Sequence, residues 1–112
     1  MASMKITQQT TAHTLTLSLD GELDASSSVL LDTELTKPEI LNNQKVLIDC
    51  QRLNYISSAG LGVFISHLQR FQDANVKLVF FNMQEKVHNV FEILGLDTLM
   101  TIVPSESEAT AI

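Results

Sequence analysis

Two short apolar runs, "KVLIDC" and "VKLVFF", restrict the possible folds of this chain more than any other feature. Neither run alternates polar with apolar residues, which predicts strands that are covered on both faces, as in a parallel sheet. Between them, apolar residues recur at the i, i+3, i+4, i+7 spacing of a helix from about 58 to 72; they are Leu61, Phe64, Ile65 and Leu68. A strand, a helix and a second strand in this order indicate an α/β domain.

The segment before these strands predicts a hairpin at the edge of the sheet. "HTLTLSLDGELD" alternates, with Leu15, Leu17 and Leu19 on one face, which is typical of a half-buried strand. We expect Gly21 to break this strand. "MKITQQT" is its expected hairpin partner.

A first helix should follow the hairpin. Asp24 or Ser26 is a suitable cap, and Pro38 should stop the helix after Lys37. Its inner face is expected to carry three apolar residues, namely Val29, Leu30 and Leu35. "QRLNYI", after the first apolar run, is interpreted as a short crossing to the second helix.

The last third of the chain predicts one more helix and one more strand. Asn82 and Glu85 have the spacing of a capping box, and Gly95 is a suitable helix end. "TLMTIV" is the expected last strand and "PSESEATAI" (104–112) a polar tail. Residues 1–3 precede a second methionine and are interpreted as an artificial extension.

The predicted order is therefore β-β-α-β-α-β-α-β in a single domain spanning 1–112. The fold class is α/β, with a mixed sheet of four or five strands and three to four helices packed on it. Strands that alternate with helices favour a largely parallel sheet, and the first hairpin makes it mixed.

Charge and composition exclude several functions. The formal net charge is −6 with only 7 Lys+Arg, so we expect neither nucleic-acid binding nor attraction to an anionic membrane. No apolar run approaches the roughly 20 residues of a membrane span, and no signal pattern is present, so membrane insertion is not expected. Cys50 is the single cysteine, which fits a reducing, cytoplasmic compartment.

The segment "YISSAGLGVF" (55–64) contains the residues with the clearest functional signal. Ser57 or Ser58 can cap the following helix. Gly60 and Gly62 weaken its first turn, each by about 0.5–1 kcal/mol relative to alanine. One interpretation is a serine cap with glycines for close packing. The other is a serine displayed at an uncovered helix start, where a partner or a phosphoryl donor can approach.

An enzyme is not expected. "SSAGLG" differs from the Gly-x-Ser-x-Gly turn of serine hydrolases. A serine nucleophile would need His13, His67 or His88 as its base. His67 is more than two helical turns from Ser58, and we interpret both it and His88 as solvated surface residues.

No metal site and no cofactor are expected either. Asp20, Glu22 and Asp24 alternate near one turn, but solvated turn carboxylates explain them better than a cation site does. A lone Gly-x-Gly lacks the lysine and the further glycines of nucleotide-binding motifs.

These motifs resemble those of STAS domains, specifically the bacterial anti-sigma factor antagonists. "VLIDCQRLNYISSAGLGVFISHL" resembles the family's signature, which usually reads Asp-Ser-Ser/Thr-Gly-Leu-Gly. "LDGELDASS" resembles its Gly-x-Leu-Asp turn, and "FEILGLDTLMTIV" its closing helix and strand. Ser57 stands in place of the family's Asp, and Ala59 in place of the second hydroxyl residue.

The resemblance implies a binding module that is controlled by phosphorylation. An unphosphorylated antagonist sequesters an anti-sigma factor that is also a serine kinase of the GHKL type. Phosphorylation releases it, and a PP2C-type phosphatase resets the switch. By position the phosphoacceptor is Ser58, with Ser57 as the second candidate.

The partner-binding surface implied by this resemblance combines the turn, the crossing and the first turn of the motif helix. Its residues are Gly21, Glu22, Leu23, Asp24, Asn54, Tyr55, Ser57, Ser58, Ala59, Gly60 and Gly62. The alternative is a STAS domain that is never phosphorylated and serves as a binding subunit of a transport or other signalling complex.

Overall fold

The computed structural model describes residues 4–112, and its strands form one five-stranded sheet. The strands lie in the order β1-β2-β3-β4-β5. Only β1 and β2 are antiparallel, and each later pair is parallel. Their bounds are Met4–Thr11 (β1), Thr14–Leu23 (β2), Lys45–Ile56 (β3), Lys77–Phe81 (β4) and Thr101–Val103 (β5). The predicted edge hairpin and the mixed α/β sheet are confirmed.

Four α-helices and two short 3₁₀ helices connect or follow the strands in the described part of the chain. The α-helices are Ser28–Thr36 (α1), Ser58–Asp73 (α2), Glu85–Ile93 (α3) and Glu106–Thr110 (α4). The 3₁₀ helices span Pro38–Asn42 and Leu96–Thr98. The predicted sequence of elements is confirmed, with α4 added at its end.

One face of the sheet carries the main core. Leu15, Leu17 and Leu19 point towards the helices, as their alternation predicted. In the same cluster, Phe64 of α2 and Phe91 of α3 pack around Phe80 of β4, with ring centroids 4.8 Å and 5.8 Å from that of Phe80. Burial of these rings supplies much of the hydrophobic stabilisation of the domain.

The opposite face of the sheet has a smaller apolar cluster, which the C-terminal segment covers. Leu47, Val79 and Phe81 point to this face and pack with Ala109 of α4. This explains why the two central strands do not alternate. The segment 104–112, predicted as a polar tail, contains α4, and its Ala109 and Ile112 pack against this face of the sheet.

Two strands continue beyond the points where they were predicted to end. Strand β2 continues through Gly21, whose φ of 121° is a conformation that only glycine adopts easily. The pairing of β2 with β3 shifts at this point, as in a β-bulge. "QRLNYI" is likewise not a crossing but the second half of β3, which places Asn54 and Tyr55 on a strand.

Three helix details also differ from prediction. Val29 and Leu30 face outwards with 64% and 47% exposure, and α1 buries Leu31 in their place, whereas the predicted burial of Leu35 is confirmed. Asn82 does not cap α3, because it adopts a left-handed φ of 59° before the helix begins. Gly95 does end the α3 segment, with a φ of 72°.

Candidate functional site

The candidate site lies where parallel strands β2 and β3 end side by side. Glu22 pairs with Tyr55, and Leu23 with Ile56. The amide of Ser57 donates to the carbonyl of Leu23 over 2.9 Å. Because α1 and α2 follow these strand ends, both helices begin at the same edge of the sheet. The structure thus brings together the two segments that the sequence singled out.

The two serines of the motif have different surroundings. Ser57 is the N-cap of α2, and its side chain accepts a hydrogen bond from the amide of Gly60 at 3.2 Å. Ser58 is the first helical residue and is exposed. Within residues 4–112, its hydroxyl has no hydrogen-bond partner. Capping therefore occupies the Ser57 hydroxyl and leaves that of Ser58 accessible.

The two glycines also differ. A Cβ atom on Gly60 would lie 2.6 Å from Cγ of Leu23, so glycine is required there for α2 to approach β2. A Cβ atom on Gly62 would meet nothing within 4 Å. Gly60 therefore fits the interpretation that the glycines allow close packing, whereas Gly62 fits the interpretation of an uncovered helix start.

The carboxylate of Asp24 organises the turn between β2 and α1. Its Oδ1 accepts hydrogen bonds from the amides of Ser26 and Ser27 at 3.1 Å and 2.9 Å. The buried hydroxyl of Ser27 donates to the carbonyl of Glu22 over 2.7 Å. Asp24 thus stabilises the turn before α1 as an Asx turn does, whereas Ser26 provides no cap.

The residues of the predicted partner-binding surface differ in how far they are exposed. Leu23 and Gly60 are buried and shape the surface from below. The exposed predicted positions are Glu22, Asn54, Tyr55, Ser58, Ala59 and Gly62, while Gly21, Asp24 and Ser57 are half-buried.

Large apolar side chains near this edge extend the exposed surface beyond the predicted residues. Val29, Leu30 and Ile65 are 64%, 47% and 44% exposed, and Tyr55 is 50% exposed. Val29, Leu30 and Ile65 were all predicted to face the core. The signal that could have corrected this is the run "VLL" in α1, since three consecutive helical residues cannot all face one side.

The histidines are far from Ser58 or engaged elsewhere. His67 was expected on the surface, but it is buried, and its Nε2 lies 2.8 Å from Oδ1 of Asp32 in α1. It follows Ser58 by nine residues, about 14 Å along the helix axis. His88 lies 3.3 Å from Glu92 on α3. His67 is therefore not placed to deprotonate the Ser58 hydroxyl.

Within residues 4–112, no group of three or more His, Cys, Asp or Glu side chains is arranged to hold a metal ion. The helices of the same region include none that is long and apolar enough to cross a membrane.

Comparison with known proteins assigns the family. The STAS domain profile matches residues 4–109, so the chain belongs to the STAS domain family. The anti-sigma-B factor antagonist of Listeria monocytogenes is 27% identical over 106 residues, covering 95% of this chain and 92% of the relative. BtrV of Bordetella bronchiseptica, named as a candidate anti-sigma factor antagonist, is 30% identical over 108 residues, covering 96% and 93%.

Solved structures share the fold. A candidate anti-sigma factor antagonist from Thermotoga maritima superposes with a TM-score of 0.85 at 21% identity, covering 95% of this chain and 92% of that one. The antagonist SpoIIAA gives a TM-score of 0.73 at 14% identity in its unphosphorylated form, with 96% and 94% coverage. Its phosphorylated form gives 0.71 at 19% identity, with 96% and 97% coverage.

Proposed function

We propose that this protein is an anti-sigma factor antagonist that binds its anti-sigma factor when Ser58 is unmodified and releases it when Ser58 is phosphorylated. The observation that carries this proposal is the exposed Ser58 hydroxyl beside a neighbouring serine that already caps the helix. Relatives matched over nearly their whole length bear the same functional name, which supports the role.

The modification is a phosphoryl transfer from ATP. Oγ of Ser58 forms a bond to the γ-phosphorus, the bond from that phosphorus to its bridging oxygen breaks, and ADP leaves. The hydroxyl proton passes to a base on the partner, which we expect to be a serine kinase of the GHKL type. A PP2C-type phosphatase would restore the hydroxyl with water and release inorganic phosphate.

The fold should tolerate this phosphate. Ser58 is the first residue of α2, where unpaired backbone amides and the helix dipole favour an anion. The first turn of α2 has no acidic side chain to repel it. Binding should not tolerate it, because a partner pressed on Ser58 would have to desolvate about 1.5–2 negative charges.

The replacement of the family's Asp by Ser57 is compatible with this mechanism. The side chain at position 57 accepts the Gly60 amide, a role that a serine oxygen and a carboxylate can both perform. What the substitution removes is a charge beside the acceptor, so recognition by the kinase should depend more on the surrounding apolar residues.

The test uses the purified chain, ATP and a GHKL-type anti-sigma factor kinase from the same organism. Intact mass and site mapping should find one phosphate, on Ser58. Ser58→Ala should bind constitutively and accept none, and Ser58→Asp should bind more weakly. For the phosphorylated chain, a penalty of about 4 kcal/mol would lower affinity roughly 1,000-fold. Ser57→Ala is the matched control and should still be phosphorylated.

Two results would contradict the proposal. One is a phosphate on Ser57 rather than Ser58, and the other is equal affinity of Ser58→Asp and Ser58→Ala for the kinase. An unmodified chain that binds a transporter would support the alternative of a binding subunit. This alternative is kept because the fold also occurs within the anion transporter Slc26a9, with a TM-score of 0.78 at 14% identity. A cytoplasmic location is part of the proposal, since anti-sigma factors act on transcription.

A further inference from the structure

Helix α1 has few interactions of its own that would hold it in place. It has nine residues, no side-chain cap at Ser27, no acidic residue in its first turn and no basic residue in its last. Isolated helices shorter than about 12–15 residues are marginal in water. Its position must therefore depend on what it packs against.

The first polar contact that holds α1 comes from His67 of α2. The imidazole is 8% exposed, and its Nε2 lies 2.8 Å from Oδ1 of Asp32, near the middle of α1. A buried imidazole needs a hydrogen-bond partner, and here that partner lies on the neighbouring helix. The Phe71 ring stands edge-on to the imidazole, with centroids 6.3 Å apart.

The second polar contact comes from Arg70, three residues later on the same face of α2. Its guanidinium donates to the carbonyl of Leu35 at 2.5 Å, of Thr36 at 3.2 Å and of Lys37 at 3.3 Å. These carbonyls end α1 and lack partners within it. A cation at the C-terminal end of a helix also interacts favourably with the helix dipole. Arg70 thus caps α1 from outside.

The order of the contacts shows how the helices are aligned. Asp32 meets His67, and Leu35 meets Arg70, so α1 and α2 run in the same direction from the shared sheet edge. Val29 is one turn before Asp32. It is therefore level with the turn of α2 that precedes His67.

We propose that His67 and Arg70 are positioning residues, which hold α1 so that Val29 and Leu30 form one continuous partner surface with the first turns of α2. This inference rests on the proposed function. His67 lies about 14 Å along the helix from Ser58, so its loss leaves the acceptor hydroxyl unaltered. The consequence is a change in docking without a change in phosphoryl transfer.

The first test measures α1 in the free protein by hydrogen exchange. His67→Leu keeps the volume but removes the donor, and protection of the α1 amides should fall about tenfold while the sheet is unchanged. His67→Gln, which restores an N–H donor, should stay within about threefold of wild type. Arg70→Met should act like His67→Leu, and as a half-buried surface position it should not prevent folding.

The second test uses the same GHKL-type kinase. For His67→Leu, the KM for this chain as substrate should rise about tenfold with kcat unchanged. His88→Leu is the matched control, because it breaks a histidine–carboxylate pair on α3 and should alter neither value.

Unchanged α1 protection in both His67→Leu and Arg70→Met would overturn the inference, and so would an open α1 with unchanged KM. If the wild type is phosphorylated on Ser58 and the variants have the same α1 protection and the same KM as the wild type, only the positioning role fails. If the wild type neither binds the kinase nor accepts phosphate, the proposed function fails and the positioning role fails with it.

Discussion

At the residue scale, nearby residues of the same type differ in what they contact, and Gly60 and Gly62 show the largest difference. Gly60→Ala should lower the free energy of unfolding by about 1–3 kcal/mol, because its methyl would meet the fully buried Leu23 side chain at 2.6 Å. Gly62→Ala should raise it by about 0.5–1 kcal/mol, the usual gain in helix propensity. Urea denaturation followed by circular dichroism measures both changes.

These two variants also separate stability from binding. Under the proposed function, the Gly62 methyl would stand on the partner surface, so the more stable variant should bind the kinase more weakly. Equal stability changes in the two alanine variants would show that the space around the glycines does not control them.

The serine pair gives a second prediction at this scale. Ser57→Ala should cost about 1 kcal/mol of stability, because it removes the acceptor for the Gly60 amide. Ser58→Ala should stay within about 0.5 kcal/mol of wild type, since its hydroxyl supports nothing in residues 4–112. Thermal and urea unfolding of both variants provide the check, and a larger loss for Ser58→Ala would reverse the assignment of the cap.

At the element scale, the mostly polar composition of the C-terminal segment did not predict helix α4. Ala109 is fully buried against the second face of the sheet, whereas Ala111 is exposed. Ala109→Glu should lower the free energy of unfolding by about 1–3 kcal/mol, because it buries a carboxylate against Leu47 and Phe81. Ala111→Glu is the matched control and should change it by less than about 0.5 kcal/mol. Equal midpoints in urea would mean that α4 is not held on the sheet.

The elements themselves were readable from the sequence because apolar patterns report burial directly. The alternation of Leu15, Leu17 and Leu19 and the unbroken runs in β3 and β4 predicted the sheet correctly. The pairing of His67 with Asp32 could not be predicted from the sequence. The two residues are 35 positions apart, and a single polar residue forms no periodic pattern that would indicate its partner. The division of roles between Ser57 and Ser58 required backbone geometry for the same reason.

At the scale of the whole molecule, the sheet has an apolar cluster on each face, and β3 lies at its centre. Cys50, on this strand, is 1% exposed. Its thiol can meet solvent only when the helical layer and the sheet come apart. It therefore reports on global unfolding rather than on local motions of α1 or of the proposed partner surface.

Burial raises the pKa of the Cys50 thiol far above its ordinary range, and the charge of Asp49 adds to the effect. Below about pH 8.5, the thiol is protonated in both the folded and the unfolded chain, and the full stability is present. Above that pH only the unfolded chain loses the proton, so stability should fall by up to about 1.4 kcal/mol per pH unit. Urea titrations between about pH 8 and pH 10 should show this slope in the wild type. The Cys50→Ala variant should lack this contribution, and parallel slopes in the two proteins would show that the thiol ionises without unfolding.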